Sequence, residues 1–237
     1  MNIKRYIATI ILAIVLLLNF SCTDWLDVKP VDRMSEDQLY STEAGFRQAL
    51  NGIYVELNHA DLYGDELLVN TVEILAQRYK FSSMGTLTNQ YHLAEFDYTT
   101  DYAKKCGSRI WEKAYALIAN VNKLLKNADS HKDLFTGDSY DLITGEAYAL
   151  RAFLHFDLLR LFGPVYKTHK EDKSICYNTQ FSLSGSDLLP ASKVMEYVIA
   201  DLKEAEDRLA KDPIIEEGPL LSVRQKKRIF GDTVHYV

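Results

Sequence analysis

Residues 140–164, YDLITGEAYALRAFLHFDLLRLFGP, decide the fold class of this chain. Apolar side chains recur at helical spacing along the stretch. It stops at Gly163-Pro164, where a glycine can adopt a left-handed cap and a proline cannot continue a helix. The sequence therefore predicts a helix from Tyr140 to Phe162. Its predicted apolar face comprises Ala147, Leu150, Phe153, Leu154, Leu158 and Leu161.

The same periodicity predicts four further helices on either side of this one. Their expected ranges are Glu43 to Leu57 with Thr42 as N-cap, Glu66 to Gln77, Arg109 to Asn127, and a last helix starting near Pro190. The helices on either side of the loop at Ser130–Asp138 should form an antiparallel hairpin of the type that tetratricopeptide repeats stack. The predicted fold is therefore all-α, a tetratricopeptide-like helical array of antiparallel helix hairpins with long irregular loops.

Composition narrows the function classes. The 237 residues include 27 Lys and Arg against 33 Asp and Glu, and the net charge of −6 disfavours a nucleic-acid-binding surface. The three Cys lack zinc spacing and the six His are scattered, so no metal site is predicted. No Gly-rich phosphate loop and no nucleophile elbow occurs, which argues against a cofactor and against an enzyme. We predict no catalytic residues.

The N-terminus has the pattern of an export signal. Lys4 and Arg5 precede an apolar stretch from Ile7 to Phe20, which is too short to span a bilayer comfortably. A small residue, Ser21, stands directly before Cys22, as at a bacterial lipoprotein cleavage site. We predict a lipoprotein signal peptide over residues 1–21 with Cys22 as the lipidated first residue. The alternative is a plain secretory signal with an incidental cysteine.

Several local patterns occur together behind this signal. They are residues 22–30 (CTDWLDVKP), Phe46 to Tyr54, residues 74–79 (ILAQRY), the spaced set Trp111, Tyr115, Ile118, Asn122 and Leu124, and residues 146–153 (EAYALRAF) continuing to Val165. In this order they resemble the N-terminal half of the SusD/RagB family of nutrient-binding outer-membrane lipoproteins. The resemblance covers roughly residues 22 to 210.

The resemblance implies a glycan-binding protein of Bacteroidota, anchored to the outer membrane by lipid and exposed at the cell surface. Such proteins cap a TonB-dependent, SusC-like transporter and capture oligosaccharides or polysaccharides for nutrient uptake. They are not enzymes. The alternative is a lipid-anchored helical-repeat scaffold that binds protein without glycan, since concave repeat surfaces commonly serve that purpose.

The expected domain organisation follows from the same resemblance. After the signal peptide come an extended linker over residues 22–42, an incomplete SusD-like helical domain over residues 43–222, and an atypical tail over residues 223–237. Family members are about twice this long, which suggests a truncated copy with a tail that is out of frame. The last helix would then lack a partner for its apolar stripe, which comprises Val194, Val198, Leu202, Ala205 and Leu209.

Aromatic residues in the segment from 79 to 102 are the first candidates for sugar contacts. A sugar presents an apolar C–H face and a rim of hydroxyls, so its site needs exposed rings beside polar side chains. The alternative is that the rings fill gaps in the helical array. The predicted ligand-binding residues are Tyr79, Tyr91, His92, Phe96 and Tyr98.

Three other residue types have structural interpretations. Arg151, if buried, needs a carboxylate such as Glu146 or Asp157, or a carbonyl from a neighbouring helix, and we predict an anchor of the array. His155 is predicted to be a packed histidine. Cys106 and Cys176 could pair in an oxidising compartment or remain free thiols.

Overall fold

The computed structural model describes residues 35–81, 88–181 and 186–212, and those of them from Asp37 onward belong to one compact unit. Within these ranges the chain forms helices and no strand. In chain order they are α1 (Glu36–Leu39), α2 (Glu43–Leu57), α3 (Thr71–Leu75), α4 (Asn89–Ala94), α5 (Asp101–Ser130), a 3-10 turn (Lys132–Leu134), α6 (Ser139–Phe162), α7 (Tyr166–His169) and α8 (Ala191–Leu209).

The two longest helices, α5 and α6, form an antiparallel hairpin. The middle of α5, with Ile110 and Leu117, shares a hydrophobic cluster with Leu154 and Leu158 from the second half of α6. A second cluster joins the last turns of α5 to the first turns of α6 and to α2. Apolar burial along both helices therefore stabilises the hairpin, and the predictions of an all-α fold and of this hairpin are confirmed.

Helix α6 is the centre of the array because it packs against α5 and α8 on different sides. Its buried set accordingly includes neighbouring positions such as Ala147, Leu150 and Ala152 and does not follow one stripe. Phe153, which was predicted on the apolar face, is 43 % exposed and stacks on Tyr63 at the surface. A helix buried on two sides has no single apolar face, so the stripe argument misplaced this ring.

The predicted bounds of α2 are confirmed, and so is its cap: the Thr42 side chain accepts a hydrogen bond from the Gly45 N–H. The predicted start of α5 at Arg109 was too late. The helix begins at Asp101, and Thr100 caps it by accepting from the Ala103 N–H at 3.3 Å. The short segment that precedes α2 had been assigned to an extended linker, yet Tyr40 is buried there against Phe46.

The second predicted helix, Glu66 to Gln77, is largely wrong. Residues 58–70 form consecutive turns, and only Thr71–Leu75 is helical. The Glu66 carboxylate is the physical reason. Its side chain is buried, accepts hydrogen bonds from Thr71 and Asn70, and pairs with Arg109 of α5. A buried charge held by three donors fixes this turn against local helix propensity.

Gly163 ends α6 as predicted but not by a left-handed cap, since its φ is −84°. A side chain would collide there, because a Cβ would lie 2.4 Å from the Leu159 carbonyl oxygen. Close approach to the last helical turn, and not a positive φ, is what requires glycine at this position.

Helix α8 has a partner, contrary to the expectation from its stripe. It packs on α6, and its buried side chains are Ala191, Val194, Val198, Asp201 and Ala205. Leu202, predicted to face inward, is 47 % exposed, and Leu209 is only half-buried. Asp201 occupies the inward position because it pairs with Arg151, which turns the adjacent Leu202 outward.

Arg151 lies at the centre of a buried polar network. Its guanidinium donates to both carboxylate oxygens of Asp201 at 2.7 Å and to Asn122 Oδ1 at 2.9 Å. Tyr177 also donates to Asp201. The predicted anchor role is therefore supported, but the partner is Asp201 and neither Glu146 nor Asp157. The network connects α5, α6, α8 and the segment between α7 and α8.

His155 is packed as predicted. Its Nδ1–H donates to the Arg151 carbonyl oxygen at 2.8 Å, its Nε2 accepts from the Asn178 N–H at 3.0 Å, and its ring stacks on Tyr177 with centroids 3.9 Å apart. Only the neutral ring can accept at Nε2. Burial lowers the pKa of His155 from 6.5 to about 4.

Cys106 and Cys176 are both free thiols. The signal peptide, Cys22 and the tail over residues 223–237 lie outside the described residues. Among the helices that are described, none combines the length and apolar character needed to cross a membrane.

Candidate functional site

The predicted ligand-binding residues lie on and beside two short helices, α3 and α4, that pack against each other near the start of α5. Ile74, Leu93 and Ala103, one from each helix, share a small buried cluster. A second tie joins the two short helices at their C-terminal ends, where Gln77 Nε2 donates to the Ala94 carbonyl oxygen at 2.7 Å. The buried cluster and this hydrogen bond together fix the two chain segments that leave these helices.

Both helices end in the same backbone motif. After α3, the Gln77 N–H donates to the Ile74 carbonyl and the Arg78 N–H to the Glu73 carbonyl. After α4, the Phe96 N–H donates to Leu93 and the Asp97 N–H to His92. This bond pair defines the Schellman motif, whose key residue adopts a left-handed conformation and is usually glycine.

Here that residue is not glycine in either motif: φ is +57° at Gln77 and +58° at Phe96. A left-handed conformation costs a residue with a side chain about 1–2 kcal/mol. Gln77 offsets that cost through its hydrogen bond to Ala94. Phe96 has no such compensation in the described residues, and its ring is 51 % exposed. A bulky side chain held in a strained conformation at the surface is typical of functional positions.

Three of the predicted rings are exposed. Tyr79 is 48 %, Phe96 51 % and Tyr98 58 % accessible, whereas large apolar rings would be buried if they only filled gaps. We call these three exposed rings, Tyr79, Phe96 and Tyr98, the aromatic shelf. Each shelf segment repeats one pattern, with an aromatic residue two positions after the left-handed residue.

Other rings of the segment have the structural role that was the alternative. Phe81 and Tyr102 pack against the small buried cluster. Tyr91 is half-buried and meets the His92 ring edge-on, with centroids 6.1 Å apart. In the described part of the chain no ring–ring contact joins Tyr79, Phe96 and Tyr98 to one another, so the shelf consists of separate rings and not of a stacked group.

Polar groups flank the shelf. His92 Nδ1 lies 3.7 Å from Asp97 Oδ2, and Asp97 Oδ1 accepts hydrogen bonds from the Thr99 side chain and backbone at 2.6 Å and 3.0 Å. These hydrogen bonds from Thr99 hold the pKa of Asp97 below its ordinary value, so this carboxylate is an ionised acceptor at neutral pH. The Tyr79 hydroxyl donates to the Val69 carbonyl, which fixes that ring.

The sequence did not point to two neighbours of Tyr79. Leu68 and Val69 are 56 % and 55 % exposed and lie in the turns that had been predicted as helix. No signal in the sequence marks them, because the turn depends on the burial of Glu66. Asp61, in the turns that precede α3, is not an open acceptor, since its carboxylate lies 3.3 Å from His59 Nδ1 and 3.6 Å from Arg109 Nε.

Within residues 35–81, 88–181 and 186–212, no group of three or more His, Cys, Asp and Glu side chains could hold a metal ion. The shelf offers rings, one ionised carboxylate and one histidine. This arrangement suits stacking and hydrogen bonding to a neutral polar ligand.

Comparison with known proteins identifies the family. A SusD-like family described as "Starch-binding associating with outer membrane" matches residues 24–217. SusD-like protein P2 of Formosa agariphila is 27 % identical over 208 residues, which are 87 % of this chain and 38 % of that protein. SusD-like protein P25 of the same organism is 27 % identical over 61 % of this chain and 28 % of its own length.

Solved structures show the same fold. A SusD-like carbohydrate-binding protein from Bacteroides vulgatus superposes with a TM-score of 0.57 at 21 % identity, over 72 % of this chain and 36 % of that one. A SusD superfamily protein from Bacteroides thetaiotaomicron gives 0.56 at 20 % identity, over 70 % and 37 %. The chain thus spans little more than a third of the length of these proteins. The match over residues 24–217 establishes that this chain belongs to the SusD-like family.

Proposed function

We propose that the chain is a non-enzymatic, carbohydrate-binding lipoprotein of the outer membrane that works with a TonB-dependent, SusC-like transporter in nutrient uptake. The family description and the similarity to a SusD-like carbohydrate-binding protein from Bacteroides vulgatus support carbohydrate binding. The observation that carries the proposal is the aromatic shelf, where Phe96 keeps a strained backbone and an exposed ring.

The proposed contacts follow from sugar chemistry. The C–H face of a pyranose stacks on an aromatic ring, while its hydroxyls exchange hydrogen bonds with polar neighbours. Tyr79, Phe96 and Tyr98 would supply the rings. His92 and the ionised Asp97 would supply the hydrogen bonds, and the half-buried Tyr91 would hold His92 in place.

The proposal includes a location and a domain organisation. Residues 1–21 would be removed as a signal peptide, and acylated Cys22 would anchor the protein at the cell surface through the linker 22–42. Residues 43–222 would form the SusD-like helical domain, followed by the tail 223–237. Replacing Cys22→Ser should move the protein out of the membrane fraction, and retention there would contradict lipid anchoring.

Affinity gel electrophoresis tests glycan binding directly. The full chain should migrate more slowly in gels that contain soluble starch or another neutral polysaccharide. Tyr98→Ala and Phe96→Gly should each weaken the retardation at least fivefold, since each removes one stacking ring. Tyr166→Ala is the matched control, because it removes a ring that is 46 % exposed outside the shelf.

Two outcomes would count against the proposal. Unchanged migration across a panel of neutral polysaccharides would reject glycan binding, and co-purification with a transporter would then favour the protein-binding scaffold. Equal loss in the Tyr166→Ala control would show that the shelf is not the contact surface.

A further inference from the structure

A second surface lies on the helical array, formed by other elements than the shelf. A cleft of about 230 Å³ lies between α5 and the segment at residues 176–180. We call it the amide cleft. Its lining residues are Trp111, Tyr115, Ala119, Asn122, Cys176, Asn178 and Gln180.

One wall is an extended segment whose side chains alternate. Ile175 and Tyr177 are buried in the array, while Cys176, Asn178 and Gln180 line the cleft. Because alternate residues of extended backbone point to opposite sides, one set anchors the wall and the other is free to meet a ligand.

Side chains of the long helices fix the backbone of this wall. The Tyr115 hydroxyl donates to the Cys176 carbonyl at 2.9 Å, and Asn122 Nδ2 donates to the Asn178 carbonyl at 2.9 Å. The Asn178 N–H donates to His155 Nε2. These bonds come from the helices that also carry the buried network around Arg151, so the same helices position the wall and the core network.

The opposite wall is aromatic and equally constrained. The rings of Trp111 and Tyr115 lie 4.8 Å apart at 50°, and Phe162 packs edge-on to Trp111 with centroids 5.1 Å apart. Trp111, Tyr115 and Asn122 share one stripe of α5, since residues four and eleven apart return to the same helix face.

The chemistry of the lining selects a class of ligand. None of the seven lining residues carries a formal charge, so the cleft suits a neutral ligand. Asn178 Oδ1 is buried and accepts no hydrogen bond in the described part of the chain. A buried acceptor without a donor is unfavourable, and a rotation of the Asn178 amide towards the cleft would bring this oxygen to a hydroxyl supplied by a ligand.

We propose that the amide cleft binds a single neutral pyranose unit, with its C–H face on Trp111 and Tyr115 and a hydroxyl donating to Asn178 Oδ1. The volume is below the range for drug-sized ligands, which limits the occupant to about one ring. The choice of sugar as ligand rests on the proposed function. The cleft is a second site, independent of the shelf.

Tryptophan fluorescence tests the proposal, because Trp25 and Trp111 are the two tryptophans of the chain. In a Trp25→Phe variant of the full chain, Trp111 is the sole reporter. Titration with the methyl α-pyranosides of glucose, galactose and mannose should give a saturable change in emission with at least one of them. Glucuronate, which carries a charge, should bind at least tenfold more weakly.

Asn178→Leu separates recognition from folding. It removes the unpaired acceptor and keeps the side-chain size, while the backbone bonds of residue 178 remain. Affinity for the pyranoside should fall at least tenfold with thermal stability equal to or above that of the wild type. Tyr98→Ala, which lies on the shelf, should leave the fluorescence titration unaffected.

The two sites can fail separately. Lost gel retardation with an intact fluorescence titration would reject the shelf and keep the cleft. The absence of a saturable signal with all three pyranosides, or an unaltered affinity in Asn178→Leu, would overturn the cleft proposal. If the pyranosides give no saturable signal and acrylamide also fails to quench Trp111 emission, the cleft is occupied by polypeptide and not by sugar.

Discussion

The buried network around Arg151 and the aromatic shelf differ in whether an energetically unfavourable feature is compensated by neighbouring groups. In the core, the charge of Arg151 is matched by the Asp201 carboxylate and by Asn122. On the shelf, Phe96 keeps an unfavourable backbone conformation and leaves its ring in water. In the core network the polar interactions join helices, whereas on the shelf the Phe96 ring remains accessible to a ligand.

This difference separates stability from recognition. The core network joins three helices and the segment before α8, so its loss would affect the whole array. The shelf lies on and beside helices of five and six residues, which are held by one small buried cluster and by the hydrogen bond from Gln77 to Ala94. Changes on the shelf should therefore alter binding far more than folding.

The largest expected effect is at Asp201. Asp201→Ala leaves the buried Arg151 guanidinium without its carboxylate, and breaking a buried pair in this way costs about 3–5 kcal/mol. The free energy of unfolding, measured by urea titration with circular dichroism, should fall by that amount.

The matched control is Glu196→Ala, an acid on the same helix that pairs with Lys193 at the surface. It should cost less than about 1 kcal/mol. A double replacement, Arg151→Met with Asp201→Leu, should recover most of the loss, since no charge is left unpaired. If Asp201→Ala costs no more than the control, the core is not organised by this pair.

Much of the array could be predicted from the sequence because its signals are local. Thr42 caps α2 at the predicted residue, and apolar residues that recur at helical spacing along α5, such as Leu117 and Val121, are buried. Helical periodicity reflects burial on one face, so helices with one buried face can be predicted from the sequence without knowledge of their neighbours.

The misplaced elements depend on contacts distant in sequence. Leu202 fits the stripe of α8 better than Asp201, and only the pairing with Arg151 reverses the preference. The Schellman motifs at Gln77 and Phe96 lack the glycine that would have marked them. For the shelf the sequence indicated aromatic content, but it could not distinguish the exposed Phe96 from Phe81, which is partly buried against the small cluster.

The amide cleft shows the same limit. Trp111, Tyr115 and Asn122 stand out by their spacing, and the sequence assigned them to a family pattern without a site. Their ligand-facing partners, Asn178 and Gln180, lie more than fifty residues later in an irregular segment. Buried and cleft-lining side chains alternate over only a few residues of the segment 175–180, which is too short a pattern to recognise in the sequence. The hydrogen bonds from α5 reveal that this segment forms a wall of the cleft.

A pH series should show the second-largest effect, and it is again confined to the core. The folded pKa of His155 is about 4 and its ordinary value is 6.5, so between these values the unfolded chain binds a proton that the folded chain does not. Stability is therefore fully present above pH 6.5 and is lost as the pH falls towards 4, by about 3 kcal/mol.

Unfolding free energies of the wild type and of His155→Gln across this range give the measurement. Carboxylates titrate in both proteins. The difference between the two slopes of unfolding free energy against pH therefore gives the contribution of His155. Parallel slopes would mean that His155 accepts a proton without cost in the folded state, and that the neutral tautomer does not hold the wall at Asn178.

Close helix packing gives an intermediate effect. A Cβ on Gly145 of α6 would lie 2.8 Å from Leu209 Cγ and 3.0 Å from Arg208 Cβ of α8. Gly145→Ala should therefore destabilise the chain by about 1–3 kcal/mol. Gly52→Ala on α2 is the control, because its Cβ meets nothing within 4 Å. It should stabilise by about 0.5–1 kcal/mol through helix propensity. The same sign for both, in thermal or urea unfolding, would contradict close packing of α6 against α8.

The smallest change in stability should come from the shelf, and its sign distinguishes the two regions most sharply. Phe96→Gly removes a side chain from a left-handed position, which should raise the free energy of unfolding by about 1 kcal/mol while weakening glycan retardation. Gln77→Gly has the same backbone benefit but loses the bond to Ala94, so it should gain little or nothing in stability. A variant that is more stable and binds less well would indicate that the strain at Phe96 is retained for recognition. If Phe96→Gly instead destabilises the chain as a core substitution does, the ring serves packing and the shelf belongs with the core.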